Sequence, residues 1–337
     1  MIIVLDKKYS EKSLERIKQV VESSGYNLNI TEGNDKIALM VIGSPVNIDK
    51  SLFMAIDGVE TVIPVSGKTG LTGKTDYDHK SIVTLKNNVM IGRGFTMIAG
   101  PCSVETEKQM DEVSYFLNTQ GVKILRGGAF KPRTSPYSFQ GLEEAGLKLL
   151  KKYAEKYNMA IITEAVDEVS LDLVSDYADI IQIGARNMYN YSLLKKSSKK
   201  PNPILLKRGM SASTDDLLSS AEYLLAGGNN NVILCERGIR GATGIKDTYV
   251  LDFNGVDELQ TKTHLPVIID PSHAAKYKNR VFRLAKAAAA YGSDGMMIEL
   301  HPDPQSALSD GAQSLNFDMF EKLMKSIAIL NGLNDGH

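Results

Sequence analysis

Val232-Ile233-Leu234-Cys235 runs straight into Glu236-Arg237-Gly238, and Ile204-Leu205-Leu206 runs straight into Lys207-Arg208-Gly209. Each is a short apolar run without alternation, ended abruptly by charges and a glycine. A run of that kind is the mark of a strand buried on both faces, as in a parallel sheet covered by helices. Comparable runs occupy residues 96–99, 123–126, 160–163, 180–183, 267–269 and 296–299. Stretches with helical periodicity lie between them, including 107–120, 142–157, 214–225 and 279–291, and 317–330 closes the series. Eight strand–helix alternations in about 240 residues predict an α/β fold of the (β/α)8 TIM-barrel type rather than an open sheet.

Upstream of this series, residues 1–65 read as a separate unit. Strands are expected at 2–5, 27–31, 37–42 and 59–65, with helices at 11–23 and 50–55. That βαββαβ order predicts a small ferredoxin-like domain. Residues 66–80 are rich in Gly, Thr and Lys and read as a linker. They contain Gly67-Lys68-Thr69-Gly70-Leu71-Thr72-Gly73-Lys74-Thr75, which superficially matches a phosphate-binding P-loop. The match fails because five residues, not four, separate Gly67 from Gly73, and no helical pattern follows Thr75. The barrel unit is expected over 81–337. It opens with a hairpin of 81–85 and 89–91 around Lys86-Asn87-Asn88, placed to plug the barrel's bottom.

Composition narrows the class. The chain has 337 residues, 43% hydrophobic and 23% charged, with a formal net charge of −1. Such a balance gives no general attraction for nucleic acid or for an anionic membrane. No apolar run is long enough to span a bilayer, and no signal peptide is evident, so a cytoplasmic protein is expected. Two cysteines, Cys102 and Cys235, argue against a disulfide framework.

Polar residues collect where the expected strands end, on the face where barrel active sites lie. One group, Cys102, His273, Glu299 and Asp310, offers a thiolate, an imidazole and two carboxylates, suited to one divalent ion. Its spacing matches no compact metal motif, and each residue singly is more often buried filler or a cap. Cys235, inside an apolar strand, is assigned to filler. A second group comprises Arg126, Lys131, Arg133, Arg186, Lys207 and Arg237. Six cations around one mouth would repel unless anions fill it, so the substrate is expected to carry several negative charges. Arg208, Glu164, Glu236, Asp270 and His301 are expected at the same mouth.

These segments resemble the type I DAHP synthases (3-deoxy-D-arabino-heptulosonate-7-phosphate synthases). The resemblance is carried by Ala99-Gly100-Pro101-Cys102-Ser103-Val104-Glu105 and by Arg126-Gly127-Gly128-Ala129-Phe130-Lys131-Pro132-Arg133-Thr134-Ser135. Gly184-Ala185-Arg186, Lys207-Arg208-Gly209, Cys235-Glu236-Arg237-Gly238 and Asp270-Pro271-Ser272-His273 follow in order, then Met297-Ile298-Glu299-Leu300-His301-Pro302 and Ser309-Asp310-Gly311. It implies a metal-dependent condensation of phosphoenolpyruvate with erythrose 4-phosphate, releasing phosphate, at the start of the shikimate pathway. It implies that Cys102, His273, Glu299 and Asp310 hold one divalent metal ion (Mn, Fe, Co or Zn), with Lys131, His273 and Cys102 the catalytic groups. Arg126, Lys131, Glu164, Ala185, Arg186, Lys207 and Arg237 would bind phosphoenolpyruvate. Lys131, Pro132, Arg133, Thr134, Ser135 and Asp270 would bind erythrose 4-phosphate.

The nearest rival is 3-deoxy-D-manno-octulosonate 8-phosphate synthase, which uses arabinose 5-phosphate. Its substrate loop typically reads Lys-Ala-Asn-Arg-Ser, whereas this chain has Lys131-Pro132-Arg133-Thr134-Ser135. Ferredoxin-like domains in this family sense aromatic amino acids, so tyrosine or phenylalanine is the expected effector, acting through residues 1–65. A passive assembly role is the alternative. A homotetramer is the expected assembly, with a dimer as the alternative.

Overall fold

In the N-terminal unit, residues 1–73, six elements follow in the expected order. They are β1 (Ile2–Asp6), α1 (Glu11–Ser23), β2 (Asn27–Glu32), β3 (Lys36–Ile42), α2 (Lys50–Met54) and β4 (Val59–Ile63). The strands form one antiparallel sheet ordered β2-β3-β1-β4, the ferredoxin-like arrangement. Alternation along β1 and β3 turns Ile3, Leu5, Ile37 and Leu39 to one face, where they pack with Ile17 and Val21 of α1 and Phe53 of α2. Ser10 caps α1, its Oγ accepting from the Ser13 amide at 3.2 Å. The computed structural model describes residues 2–6, 9–32, 36–42, 50–63, 70–74, 79–132, 135–241 and 249–334. Pro64 and Val65, expected to extend β4, and most of the predicted linker therefore lie outside the described residues.

The second unit spans 74–337. A short hairpin, β5 (Val83–Thr84) with β6 (Met90–Ile91), precedes eight parallel strands. These are β7 (Thr96–Gly100), β8 (Ile124–Arg126), β9 (Ala160–Ala165), β10 (Ile180–Ile183), β11 (Ile204–Lys207), β12 (Val232–Glu236), β13 (Val267–Ile269) and β14 (Gly295–Glu299). They close into a barrel, β14 pairing with β7. Around it lie α3 (Glu107–Thr119), α4 (Glu143–Lys156), α5 (Glu168–Tyr177), α6 (Tyr191–Ser197), α7 (Thr214–Ala226), α8 (Phe253–Lys262), α9 (Pro271–Ala275), α10 (Lys278–Tyr291) and α11 (Phe317–Asn334). No described helix is long and apolar enough to cross a membrane.

Alternation along each strand divides the apolar core in two. Ile98, Ile124, Ile162, Ile180, Leu205, Ile233, Ile268 and Met297 fill the barrel's interior, together with Val83, Leu85 and Ile91 of the hairpin. Their neighbours, among them Leu125, Ile161, Ile181, Leu206, Leu234, Ile269 and Ile298, face the helices. The strand parity that seals the bottom also dictates which residues reach the top.

Candidate active site

Two residues beyond six of the eight interior positions, the next inward side chain is polar; Ile98 and Ile233 lead instead to Gly100 and Cys235. Ile124 is followed by Arg126, Ile162 by Glu164, Ile180 by Gln182, Leu205 by Lys207, Ile268 by Asp270 and Met297 by Glu299. A period of two therefore carries six polar groups to the C-terminal mouth. Four of them, Arg126, Glu164, Gln182 and Lys207, line a cavity of about 160 Å³ together with Lys131, Arg237 and His273, and also with Pro132, Ala185, Arg186 and Asp310. Two glycines make room. A Cβ on Gly100, at φ +157°, would stand 1.9 Å from Arg126 O, and one on Gly184 would stand 2.0 Å from Glu164 Oε1.

Cys102, Glu299 and Asp310 present donor atoms that all lie within 4.8 Å of one another. The Cys102 Sγ lies 3.1 Å from Asp310 Oδ2 and 3.1 Å from Lys131 Nζ. His273 adjoins this group through Glu299, its Nε2 being 3.5 Å from Oε1. Its Nδ1 is 2.6 Å from Asp270 Oδ2, which leaves Nε2 as the nitrogen turned toward the cluster. A sulfur, an imidazole with a carboxylate behind it, and two carboxylates form a donor set that fits a divalent transition metal. Burial, with Glu299 close by, pushes the Cys102 thiol up to about 12. An ion bound here would have to displace that proton.

Glu299 and Asp270 are held ionised by the cations around them. Burial alone would raise Glu299, but His273, Arg126 and Lys131 outweigh it and bring the carboxyl down to about 2. Arg126 Nη1 donates to Glu299 Oε1 at 2.7 Å, and Gln313 Nε2 donates to Oε2. Asp270, fully buried, sits well below the usual carboxylate range because His273 and Lys207 together overcome its burial. Glu164 accepts from Gln182 Nε2 at 3.0 Å. Arg186 donates to Pro132 O at 3.3 Å. Arg237 donates to Gly238 O and His273 O, and its guanidinium stacks 4.4 Å from the Tyr249 ring centroid.

Not every expected residue reaches this cavity. Arg133 and Thr134 lie outside the described residues. Ser135 accepts from the Tyr137 amide at 3.4 Å and is not part of the cavity wall. Asp270 stands behind His273 and Lys207 rather than lining the space. Arg208 and Glu236 are displaced outright. Each follows or precedes an inward residue, so parity turns it toward the helices, where Arg208 Nη1 bonds Glu236 Oε2 at 2.9 Å and Asp252 Oδ2 at 2.8 Å. His301 is a fastener. Its Nε2 is 3.3 Å from Glu105 Oε2, and its Nδ1 accepts from the Asp303 amide. Cys235 is enclosed in the barrel interior, where burial pushes its thiol up.

Gln182, Tyr249, Lys276 and Gln313 line the cavity without having been expected there. Parity with Ile180 could have found Gln182. The others sit on loops, where no period predicts direction.

A model of the DAHP synthetase I family matches residues 80–330, and one of the DAHP synthase ferredoxin-like domain matches 1–67. The chain is 43% identical over 329 residues to phospho-2-dehydro-3-deoxyheptonate aldolase of Thermotoga maritima, covering 97% of this chain and 96% of that one. The crystal structure of phospho-2-dehydro-3-deoxyheptonate aldolase (DAHP synthase) from that organism matches with a TM-score of 0.78 and 42% identity, over 98% of this chain and 97% of the other. A 2-dehydro-3-deoxyphosphooctonate aldolase of Fusobacterium nucleatum is 30% identical over 259 residues, 71% of this chain and 91% of its own. Since the DAHP synthetase I model spans the whole barrel and its polar mouth, this chain is an enzyme that belongs to the DAHP synthetase I family.

Proposed function

We propose that this chain condenses phosphoenolpyruvate with erythrose 4-phosphate, releasing phosphate, in a reaction that depends on a divalent metal ion and opens the shikimate pathway. The supporting observation is the juxtaposition of the Cys102–Glu299–Asp310 donor cluster with a cavity walled by cations. One substrate brings a carboxylate and a phosphate, the other an aldehyde and a phosphate, and the cavity offers complements to each.

Arg126, Lys131 and Lys207 bind the carboxylate of phosphoenolpyruvate. Arg186, the Ala185 amide and Arg237 bind its phosphate, with Glu164 beside them through water. Lys131 and Pro132, continuing into Arg133, Thr134 and Ser135, receive erythrose 4-phosphate. Asp270 acts at its aldehyde end by fixing His273 and Lys207. Cys102, His273, Glu299 and Asp310 would hold the ion, which supplies Lewis-acid polarisation of the aldehyde. The new bond joins C3 of phosphoenolpyruvate to the aldehyde carbon, water adds at C2, and the C–O bond to phosphate then breaks. Lys131, with Nζ 3.0 Å from Cys102 O, is the proton donor we assign to the oxygen that gains charge as that bond forms. Holding both reactants among fixed cations supplies the attack geometry that free solution lacks.

Residues 1–65 are read as a regulatory domain that senses tyrosine or phenylalanine, followed by a linker at 66–80. The match of 1–67 to the DAHP synthase ferredoxin-like domain supports this reading. Inhibition that persists after deletion of residues 1–70 would defeat it. We read the assembly as a homotetramer acting in the cytoplasm. The test of activity is phosphate release from phosphoenolpyruvate with erythrose 4-phosphate or with arabinose 5-phosphate. The proposal expects turnover with the four-carbon sugar. Preference for the five-carbon sugar would make the chain a 3-deoxy-D-manno-octulosonate 8-phosphate synthase instead.

A further inference from the structure

Lys276 closes α9 in the left-handed conformation, at φ +59°. Glycine takes that conformation without a steric cost, whereas a residue with a Cβ does not. The turn itself needs only the backbone, since the Lys276 amide donates to Ser272 O. What glycine could not supply is the ammonium. Lys276 is half-buried, lines the active-site cavity, and makes no ion pair or side-chain hydrogen bond among the described residues.

The charges around the cavity sort into two sets. Arg126 is paired with Glu299 and Lys207 with Asp270, while Lys131 lies against the Cys102 sulfur. Among the described residues, the Arg186 and Arg237 side chains donate to backbone carbonyls only, and the Lys276 ammonium has no hydrogen-bond acceptor. These three cations lack a carboxylate partner among the described residues. A phosphate monoester carries a charge of about −1.5 to −2 at neutral pH and complements such a set.

We propose that Lys276 is a third cation of the subsite for the phosphate of phosphoenolpyruvate, beside Arg186 and Arg237. The proposal rests on the substrate reading above. The 273–276 turn belongs to the same wall as Arg237: Arg237 Nη2 donates to His273 O at 3.2 Å, and the Tyr249 amide donates to Ala274 O at 3.1 Å. Tyr249, in turn, lies under the Arg237 guanidinium. This shared wall assigns Lys276 to the phosphate that leaves, rather than to that of the aldose. Lys276 is thus a substrate-binding residue that also holds the departing group.

Steady-state kinetics of the full-length wild type, Lys276→Met, Lys276→Gly and Lys276→Arg tests this. Lys276→Met and Lys276→Gly are expected to raise KM for phosphoenolpyruvate about tenfold, the scale of one charge-assisted hydrogen bond. They should weaken inhibition by inorganic phosphate by a similar factor and leave KM for erythrose 4-phosphate within about twofold. Lys276→Arg should restore most of the loss. Lys276→Gly relieves the left-handed backbone while removing the charge, so a kinetic defect in a variant as stable as wild type isolates the ammonium. Unchanged KM for phosphoenolpyruvate in both variants would overturn the proposal, as would a rise confined to erythrose 4-phosphate. A wild type that releases no phosphate would instead refute the substrate reading. Calorimetry of inorganic phosphate binding to wild type and Lys276→Met then still decides the site, equal affinities counting against it.

Discussion

Asp270 Oδ2 lies 2.6 Å from His273 Nδ1 and also accepts from Lys207 Nζ, so one fully buried carboxylate orients an imidazole and an ammonium together. The contact fixes which ring nitrogen faces the Cys102–Glu299–Asp310 cluster. It also ties the donor cluster to the cation wall, since Lys207 lines the cavity.

Asp270→Asn should therefore damage both functions while preserving the fold. The amide keeps the size but loses the charge that stabilises Lys207 and orients His273. Metal affinity is expected to fall about 10–100-fold, the range for the partner behind a ligating histidine. KM for phosphoenolpyruvate should rise as well. Metal titration and steady-state kinetics check these outcomes; affinity within about twofold of wild type would remove Asp270 from the account.

Glu299→Gln should cost stability in a pH-dependent way. The carboxyl sits at about 2 in the folded chain, against an ordinary value of 4.5. A depressed carboxylate contributes stability that is complete above its unfolded pKa and lost as pH falls toward its folded one. That contribution is about 3 kcal/mol by linkage. The gap in urea midpoint between wild type and variant should be constant from pH 7 to about 5 and shrink between 5 and 3. A gap that does not change with pH would mean Glu299 is not held ionised by its neighbours.

Arg208→Met should destabilise the chain by about 3–5 kcal/mol, because it leaves Glu236 buried without its cation. Burial already pushes the Glu236 carboxyl up, with Arg208 opposing it. Chemical denaturation measures the loss. A change below about 1 kcal/mol would show that the Arg208–Glu236–Asp252 network acts as an exposed surface pair.

Most of the barrel was legible because its strands are short, apolar and evenly interrupted, a pattern that few other architectures produce. Site residues on strands were legible for the same reason. Arg126, Lys207 and Glu299 each continue an inward register that begins with an isoleucine, leucine or methionine. The same rule, applied strictly, would have kept Arg208 and Glu236 out of the mouth, since adjacent residues on a strand face opposite ways. The eye groups Lys207 with Arg208, while the pleat separates them. Lys276, Tyr249 and Gln313 were not legible. They are carried by turns and loops, where direction depends on tertiary packing rather than on a local period. His301 lay within a recognisable motif, but only its 3.3 Å approach to Glu105 reveals its fastening role.

Calorimetric titration of Mn²⁺ into the chelator-stripped chain, run in two buffers of different ionisation enthalpy, tests the central claim most directly. The donor cluster predicts one saturable site per chain, release of about one proton at neutral pH as the Cys102 thiol becomes a thiolate, and recovery of phosphate-releasing turnover with the same saturation. Cys102→Ala should lose all three. Uptake that is absent, or that proceeds unchanged in Cys102→Ala, would contradict the assignment of this mouth as a metal-dependent active site.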